Sequence, residues 1–106
     1  LLRLADQASH AALVLGEWQP FERRDWSAQA LLLRIGAQRF QARGSHSCGD
    51  PAWVLAGWLR HASARFGTVP AGTVVTTGTW AGAPEAQAGD AVQLEFDGIG
   101  RVSVQL

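Results

Sequence analysis

The 106-residue sequence lacks lysine, asparagine, tyrosine and methionine altogether. Without lysine the chain cannot form a Schiff base or place a P-loop lysine on a phosphate, and without tyrosine it has no phenolic acid for catalysis. Cysteine occurs once, as Cys48, which excludes an intrachain disulfide and a Cys-x-x-Cys metal or redox site. A thiol nucleophile at Cys48 with His46 as its base stays open, because side chains two residues apart on a strand share a face.

The sequence also lacks an excess of either charge. Nine arginines balance nine acidic residues, so the formal net charge is zero. Surfaces that bind nucleic acid or anionic membranes need clustered cations, and we expect neither partner. No apolar run approaches the roughly 18 residues of a membrane span, and the N-terminus lacks the features of a signal peptide. We therefore expect a soluble, cytoplasmic protein.

Alternating apolar and polar residues predict two hairpins. The first pairs Ala30 to Arg34 with Arg39 to Arg43 across a turn at Gly36-Ala37. The second pairs residues 92–96 with residues 102–106 across a turn at residues 97–100. Each of these strands presents one apolar face to a core.

One helix is predicted over residues 50–66. Asp50 is a good N-cap, Pro51 suits the first helical position, and Gly67 ends the helix. Apolar residues recur at helical spacing at Leu55, Trp58 or Leu59, Ala62 and Phe66. We expect this apolar face of the helix to be buried against the sheet, with Trp58 in the core.

Two other apolar segments predict strands, namely the run Ala11 to Leu15, which Gly16 ends, and Thr73 to Thr77. Residues 17–28 predict a loop whose aromatic side chains fold back onto the body, and residues 81–90 predict a connection. Together these elements predict a single α+β, mainly β domain over residues 1–106.

The most informative segment for function is residues 78–82, Gly-Thr-Trp-Ala-Gly. It follows a predicted strand and has a glycine at each end. Such loops bring backbone N–H groups and a hydroxyl close to a ligand. Thr79 is therefore the best candidate for a binding residue.

Five motifs extend over nearly the whole chain in a fixed order. They are Asp6-Gln7-Ala8-Ser9-His10 before Leu13-Val14-Leu15-Gly16; Gly49-Asp50-Pro51 before Leu55-Ala56-Gly57-Trp58-Leu59; Pro70-Ala71-Gly72-Thr73-Val74-Val75; Gly78-Thr79 with Gly82; and Gly89-Asp90-x-Val92 with Phe96-x-Gly98-x-Gly100-x-Val102. Together they resemble the fumarylacetoacetate hydrolase superfamily, and especially its 2-oxopent-4-enoate hydratase/4-oxalocrotonate decarboxylase branch. The resemblance implies the C-terminal part of a β-roll, and the opening on Leu1 suggests a partial chain.

The resemblance implies metal-dependent hydration or decarboxylation of short 2-oxo or 2-hydroxydienoate acids in aromatic catabolism. It places Thr79, Gly78 and Ser9 at the substrate, with His10 moving a proton during hydration. The family's Mg²⁺ or Mn²⁺ is held by a Glu-x-Glu pair and a further acid upstream of the matched segment, and this sequence has no Glu-x-Glu. We therefore expect no tight metal binding, and no activity, from this chain alone.

Two other functions stay open. The chain is alternatively a non-catalytic oligomerisation or binding module, or part of an acylpyruvate-type C–C bond hydrolase. The expected partners are a small 2-oxo acid and either a second copy of the chain or the missing N-terminal part of the fold.

Overall fold

The computed structural model describes residues 12–106, and their main element is a four-stranded antiparallel sheet of order β2-β1-β3-β4. The strands are β1 (Ala30–Ile35), β2 (Gln38–Arg43), β3 (Ala91–Phe96) and β4 (Gly100–Gln105). In the same range lie one α-helix, α1 (Leu55–Phe66), and a 3₁₀ helix (Trp26–Ala28). The predicted mainly β, α+β class is confirmed.

The core lies on one face of this sheet because β1 alternates. Leu31, Leu33 and Ile35 are buried, and they are the residues with which the apolar faces of the other strands align. In the register, Leu33 stands between Phe40 of β2 and Leu94 of β3. Burying side chains of this size stabilises the fold by roughly 1.5–3 kcal/mol each. Both predicted hairpins are confirmed, with strand ends that differ by no more than two residues.

Two of the predicted strands are wrong. The part of the Ala11 to Leu15 run that the structure describes is irregular, with Leu13, Val14 and Leu15 about half exposed. Thr73 to Thr77 is also irregular, and it begins with a turn in which Thr73 donates to the Pro70 carbonyl. Neither segment pairs with a neighbouring strand among residues 12–106, and an apolar run without a pairing partner does not form a ladder.

The predicted helix begins later than expected. Asp50 does accept a hydrogen bond from the Ala52 N–H, at 2.8 Å, but it caps a series of turns. The α-helix itself starts at Leu55. Its end is confirmed, because Gly67 follows with a φ of 83° and donates to the Ser63 carbonyl.

The apolar face of α1 is exposed, which corrects the expectation that it packs on the sheet. Trp58 is 38% exposed and Phe66 is 77% exposed, whereas Ala62 is the one buried residue of the helix. In the loop over residues 17–28, Trp18 and Phe21 are exposed, which corrects the expectation that its aromatic side chains fold back onto the body, and Trp26 is the one half-buried aromatic residue. Within residues 12–106 no helix has the length and apolar character needed to cross a membrane.

Candidate functional site

The 78–82 bend borders a cleft of about 520 Å³ above the apolar face of the sheet. The cleft is lined by Ala12, Leu13, Leu33, Thr76, Gly78, Thr79, Trp80, Ala81, Gly82, Pro84, Leu94 and Phe96. The strand residues supply hydrocarbon, and the bend supplies backbone and hydroxyl groups. None of these lining residues carries a charge.

Trp80 fixes the centre of the bend to the sheet. Its ring meets the edge of Phe96 at a centroid distance of 5.6 Å and 88°, and lies 6.1 Å from the ring of Trp26. Aromatic pairs of this kind contribute about 0.5–1.5 kcal/mol beyond the area they bury. Trp80 is therefore an anchor of the bend on the core.

A second loop, residues 44–50, holds the bend from the side. His46 is 4% exposed, and its Nε2 donates to the Thr77 carbonyl at 3.0 Å. The Ser45 hydroxyl donates to the Trp80 carbonyl. Sequence reasoning missed this role, because no local pattern pairs a Gly/Ser-rich loop with a bend more than thirty residues further along the chain.

The hydrogen bonds of His46 do not leave it available as the base for a thiol nucleophile at Cys48. The Cys48 N–H donates to Nδ1 of His46 at 3.2 Å, while Nε2 is used by Thr77. Both ring nitrogens are thus engaged with backbone groups, and the Cys48 side chain is exposed. The geometry does not support the pairing that the spacing left open.

Thr79 is exposed on the cleft and shapes the bend from within. Its hydroxyl donates to the Gly82 carbonyl at 2.6 Å and accepts from the Ala81 N–H at 3.2 Å. The N–H groups of Gly78, Trp80 and Gly82 donate to no atom of residues 12–106. Backbone N–H groups of a bend that have no acceptor within the protein are donors available to an anion or a carbonyl oxygen.

Gly78 is required by its surroundings. Its φ is +126°, and a Cβ there would lie 3.1 Å from Nε2 of His46. A side chain would therefore be strained and would press on the buried imidazole. Of the predicted site residues, Gly78 and Thr79 line the cleft, whereas Ser9 and His10 lie outside the described residues.

The described residues do not fit a metal ion on their own. Among residues 12–106 no three His, Cys, Asp or Glu side chains are grouped so that they could hold one. Hard divalent cations need several converging oxygen ligands. The Mg²⁺ or Mn²⁺ that the resemblance implies has no ligand set in this part of the chain.

Comparison with known protein families matches residues 3–106 to the family described as "Fumarylacetoacetate (FAA) hydrolase C-terminal". Neither the curated proteins nor the solved structures that were compared gave a match. The match covers both hairpins, the helix, the 78–82 bend and the loop that holds it. The chain therefore belongs to the fumarylacetoacetate hydrolase family, in its C-terminal region.

Proposed function

We propose that this chain forms a substrate-binding wall of a hydratase/decarboxylase-like enzyme for short 2-oxo or 2-hydroxydienoate acids. The observation that carries the proposal is the 78–82 bend, with its N–H groups, at the rim of an apolar cleft. The motif resemblance supports the reaction class, and the family match supports the wider family to which that class belongs. A cytoplasmic location stays a prediction.

The two sides of the cleft suit the two ends of such an acid. Backbone N–H groups of the bend are donors for a carboxylate or 2-oxo oxygen. Leu33, Leu94 and Phe96 supply the apolar surface that a short hydrocarbon tail requires. Because the lining residues described carry no charge, a single carboxylate fits this wall better than two.

Thr79 supports these donors in the proposal. Its hydroxyl proton is donated to Gly82, so Thr79 holds the curvature of the bend. It contacts a ligand oxygen directly only if that hydrogen bond is exchanged. Ser9 and His10 remain our candidates for a second wall and for proton transfer to the enol.

The test is a titration of the ¹⁵N-labelled chain with 2-oxopentanoate, followed by NMR. We expect the amide resonances of Gly78, Trp80 and Gly82 to shift together, and those of Gly89 and Gly98 to stay in place. Pentanoate and pentan-2-one, which lack the 2-oxo group and the carboxylate respectively, serve as controls. Shifts spread evenly over the sheet, or equal shifts with all three compounds, would contradict the proposal.

Two variants of Thr79 sharpen this test. Thr79→Val removes the hydroxyl at nearly constant shape, and we expect it to weaken 2-oxopentanoate binding by about tenfold, the effect of roughly one hydrogen bond. Thr79→Ser keeps the hydroxyl and should bind within about threefold of the original chain. Equal affinities of the two variants would show that the hydroxyl has no part in the site.

A second candidate function is a non-catalytic oligomerisation or binding module. It is favoured by the apolar side chains that α1 and the turn before it expose, namely Trp53, Leu55, Trp58, Leu59 and Phe66. Sedimentation velocity over a concentration series tests it. Self-association that Leu59→Glu abolishes and His61→Glu preserves would support this candidate, and a monomer at all concentrations would count against a homo-oligomer.

A further inference from the structure

We propose that His46 is a positioning residue, which sets the geometry of the 78–82 bend through the carbonyl of Thr77. Its effect on ligand binding rests on the function proposed above. Its effect on the bend itself does not.

The hydrogen bonds of His46 assign the tautomer of its imidazole. Nδ1 accepts from the Cys48 N–H at 3.2 Å, so this nitrogen carries a lone pair. Nε2 faces the Thr77 carbonyl oxygen at 3.0 Å, so this nitrogen carries the proton. The ring thus joins the backbones of two loops, one at each nitrogen.

The contact with the bend is direct. The Thr77 carbonyl belongs to the peptide group that enters Gly78, and the position of a Gly78 Cβ lies 3.1 Å from Nε2. The imidazole also lies 5.4 Å from the ring of Trp80, whose carbonyl accepts from Ser45. A displacement of the imidazole therefore displaces both ends of the Thr77–Trp80 segment.

Burial makes the loss of this donor costly. His46 is 4% exposed and Thr77 is half-buried, so water does not readily replace the Nε2–H group. A side chain that merely fills the space would leave the Thr77 carbonyl without its partner. The bend would then relax, and the backbone at Gly78 and Trp80 would shift.

Two variants separate positioning from packing. His46→Gln places an amide N–H near the Nε2 position and keeps the donor to Thr77. His46→Asn keeps an acceptor near the Nδ1 position for Cys48 and loses that donor. We expect the Asn variant to shift the amide resonances of residues 78–82 and to weaken 2-oxopentanoate binding about tenfold, as the loss of one buried hydrogen bond would. The Gln variant should bind within about threefold of the original chain.

Urea unfolding of both variants is measured alongside, so that a general loss of stability is recognised. An Asn variant that binds as tightly as the Gln variant, or equal losses in both, would overturn the inference. Long-range ¹H–¹⁵N spectra of the original chain test it without any variant or ligand. A proton on Nε2 supports it, and a proton on Nδ1 overturns it. If 2-oxopentanoate does not bind the original chain, the proposed function fails, and the bend resonances and the tautomer still decide the role of His46.

Discussion

Gly44 and Gly49 lie near the two ends of the loop that holds the bend, and they differ in their surroundings. Both have positive φ, at 56° and 71°. A Cβ on Gly44 would overlap the backbone of Ser27, whereas a Cβ on Gly49 would meet nothing within 4 Å. Substituting each glycine by alanine therefore separates the cost of close packing, which applies only to Gly44, from the cost of backbone strain, which applies to both.

We expect Gly44→Ala to lower the free energy of unfolding by at least about 2 kcal/mol more than Gly49→Ala. The extra loss comes from displacing the Ser27 backbone, while the conformational strain is common to both variants. Urea unfolding followed by tryptophan fluorescence measures the difference. Equal losses would mean that the approach of Gly44 to Ser27 is not close.

The carboxyl group of Asp25 has a lowered pKa in the folded chain. Hydrogen bonds from the Ser27 hydroxyl and then from the Ser27 N–H stabilise the carboxylate and lower the pKa of Asp25. A group whose pKa is lower in the folded state contributes stability above its unfolded pKa, and this contribution is lost as the pH falls through the folded pKa. Because Asp25 is exposed, the contribution is small.

Ser27→Ala removes the larger cause of this shift, so the pKa of Asp25 should rise toward its usual value. A ¹³C NMR titration of the carboxyl group measures it. Ser47→Ala, which removes a serine that does not contact Asp25, should leave the titration unchanged. An unaltered Asp25 titration in Ser27→Ala would show that the hydroxyl is not its main partner.

At the level of elements, the sheet and the helix differ in how much burial supports them. Leu33 in β1 is 8% exposed, while Leu59 in α1 is 49% exposed. We expect Leu33→Ala to lower the free energy of unfolding by about 2–5 kcal/mol and Leu59→Ala to change it by no more than about 0.5 kcal/mol. Chemical denaturation measures both, and a comparable loss in the two variants would show that the α1 face is packed in solution.

The hairpins were predictable from sequence because their information is local. Alternation, which is strict in β3 and interrupted by Leu32 in β1, defines the buried faces of these strands, and glycines mark the turns between paired strands. The apolar segment 12–15 and the β-branched segment 73–77 also have strand-like sequences, but their structure depends on whether a partner strand lies beside them. Composition does not contain that information, so both predictions were wrong.

The candidate site, too, was only partly predictable from sequence. The glycines of the 78–82 bend indicate an unusual backbone conformation, and the bend borders a cleft. The support from His46 and Ser45 joins residues distant in sequence, and only the fold brings them together. The predicted start of the helix at residue 50 is wrong for a related reason, because an aspartate caps turns as readily as it caps a helix.

On the scale of the molecule, residues 12–106 leave many large apolar side chains uncovered. Exposed large apolar side chains occur on α1, its preceding turn and residues 12–21. Contiguous patches of such side chains are typical of surfaces that contact protein or membrane and of grooves that bind ligands.

The whole-molecule prediction concerns activity. We expect the 106-residue chain to show no Mg²⁺-dependent turnover of 2-hydroxypenta-2,4-dienoate, because residues 12–106 contain no grouped set of metal ligands. Loss of substrate absorbance with and without Mg²⁺ is the measurement, with a complete hydratase as the positive control. Turnover that requires Mg²⁺ would contradict the prediction. It would mean that the chain binds the ion without a grouped set of ligands among residues 12–106.

The strand order β2-β1-β3-β4 has a consequence for folding kinetics. Each hairpin closes over a short turn, whereas β1 meets β3 only when the long intervening segment has been brought back on itself. The entropy of loop closure grows with length, and distant pairings slow folding. The two hairpins are therefore expected to form early and separately, and their docking along β1 and β3 is expected to be the slow step.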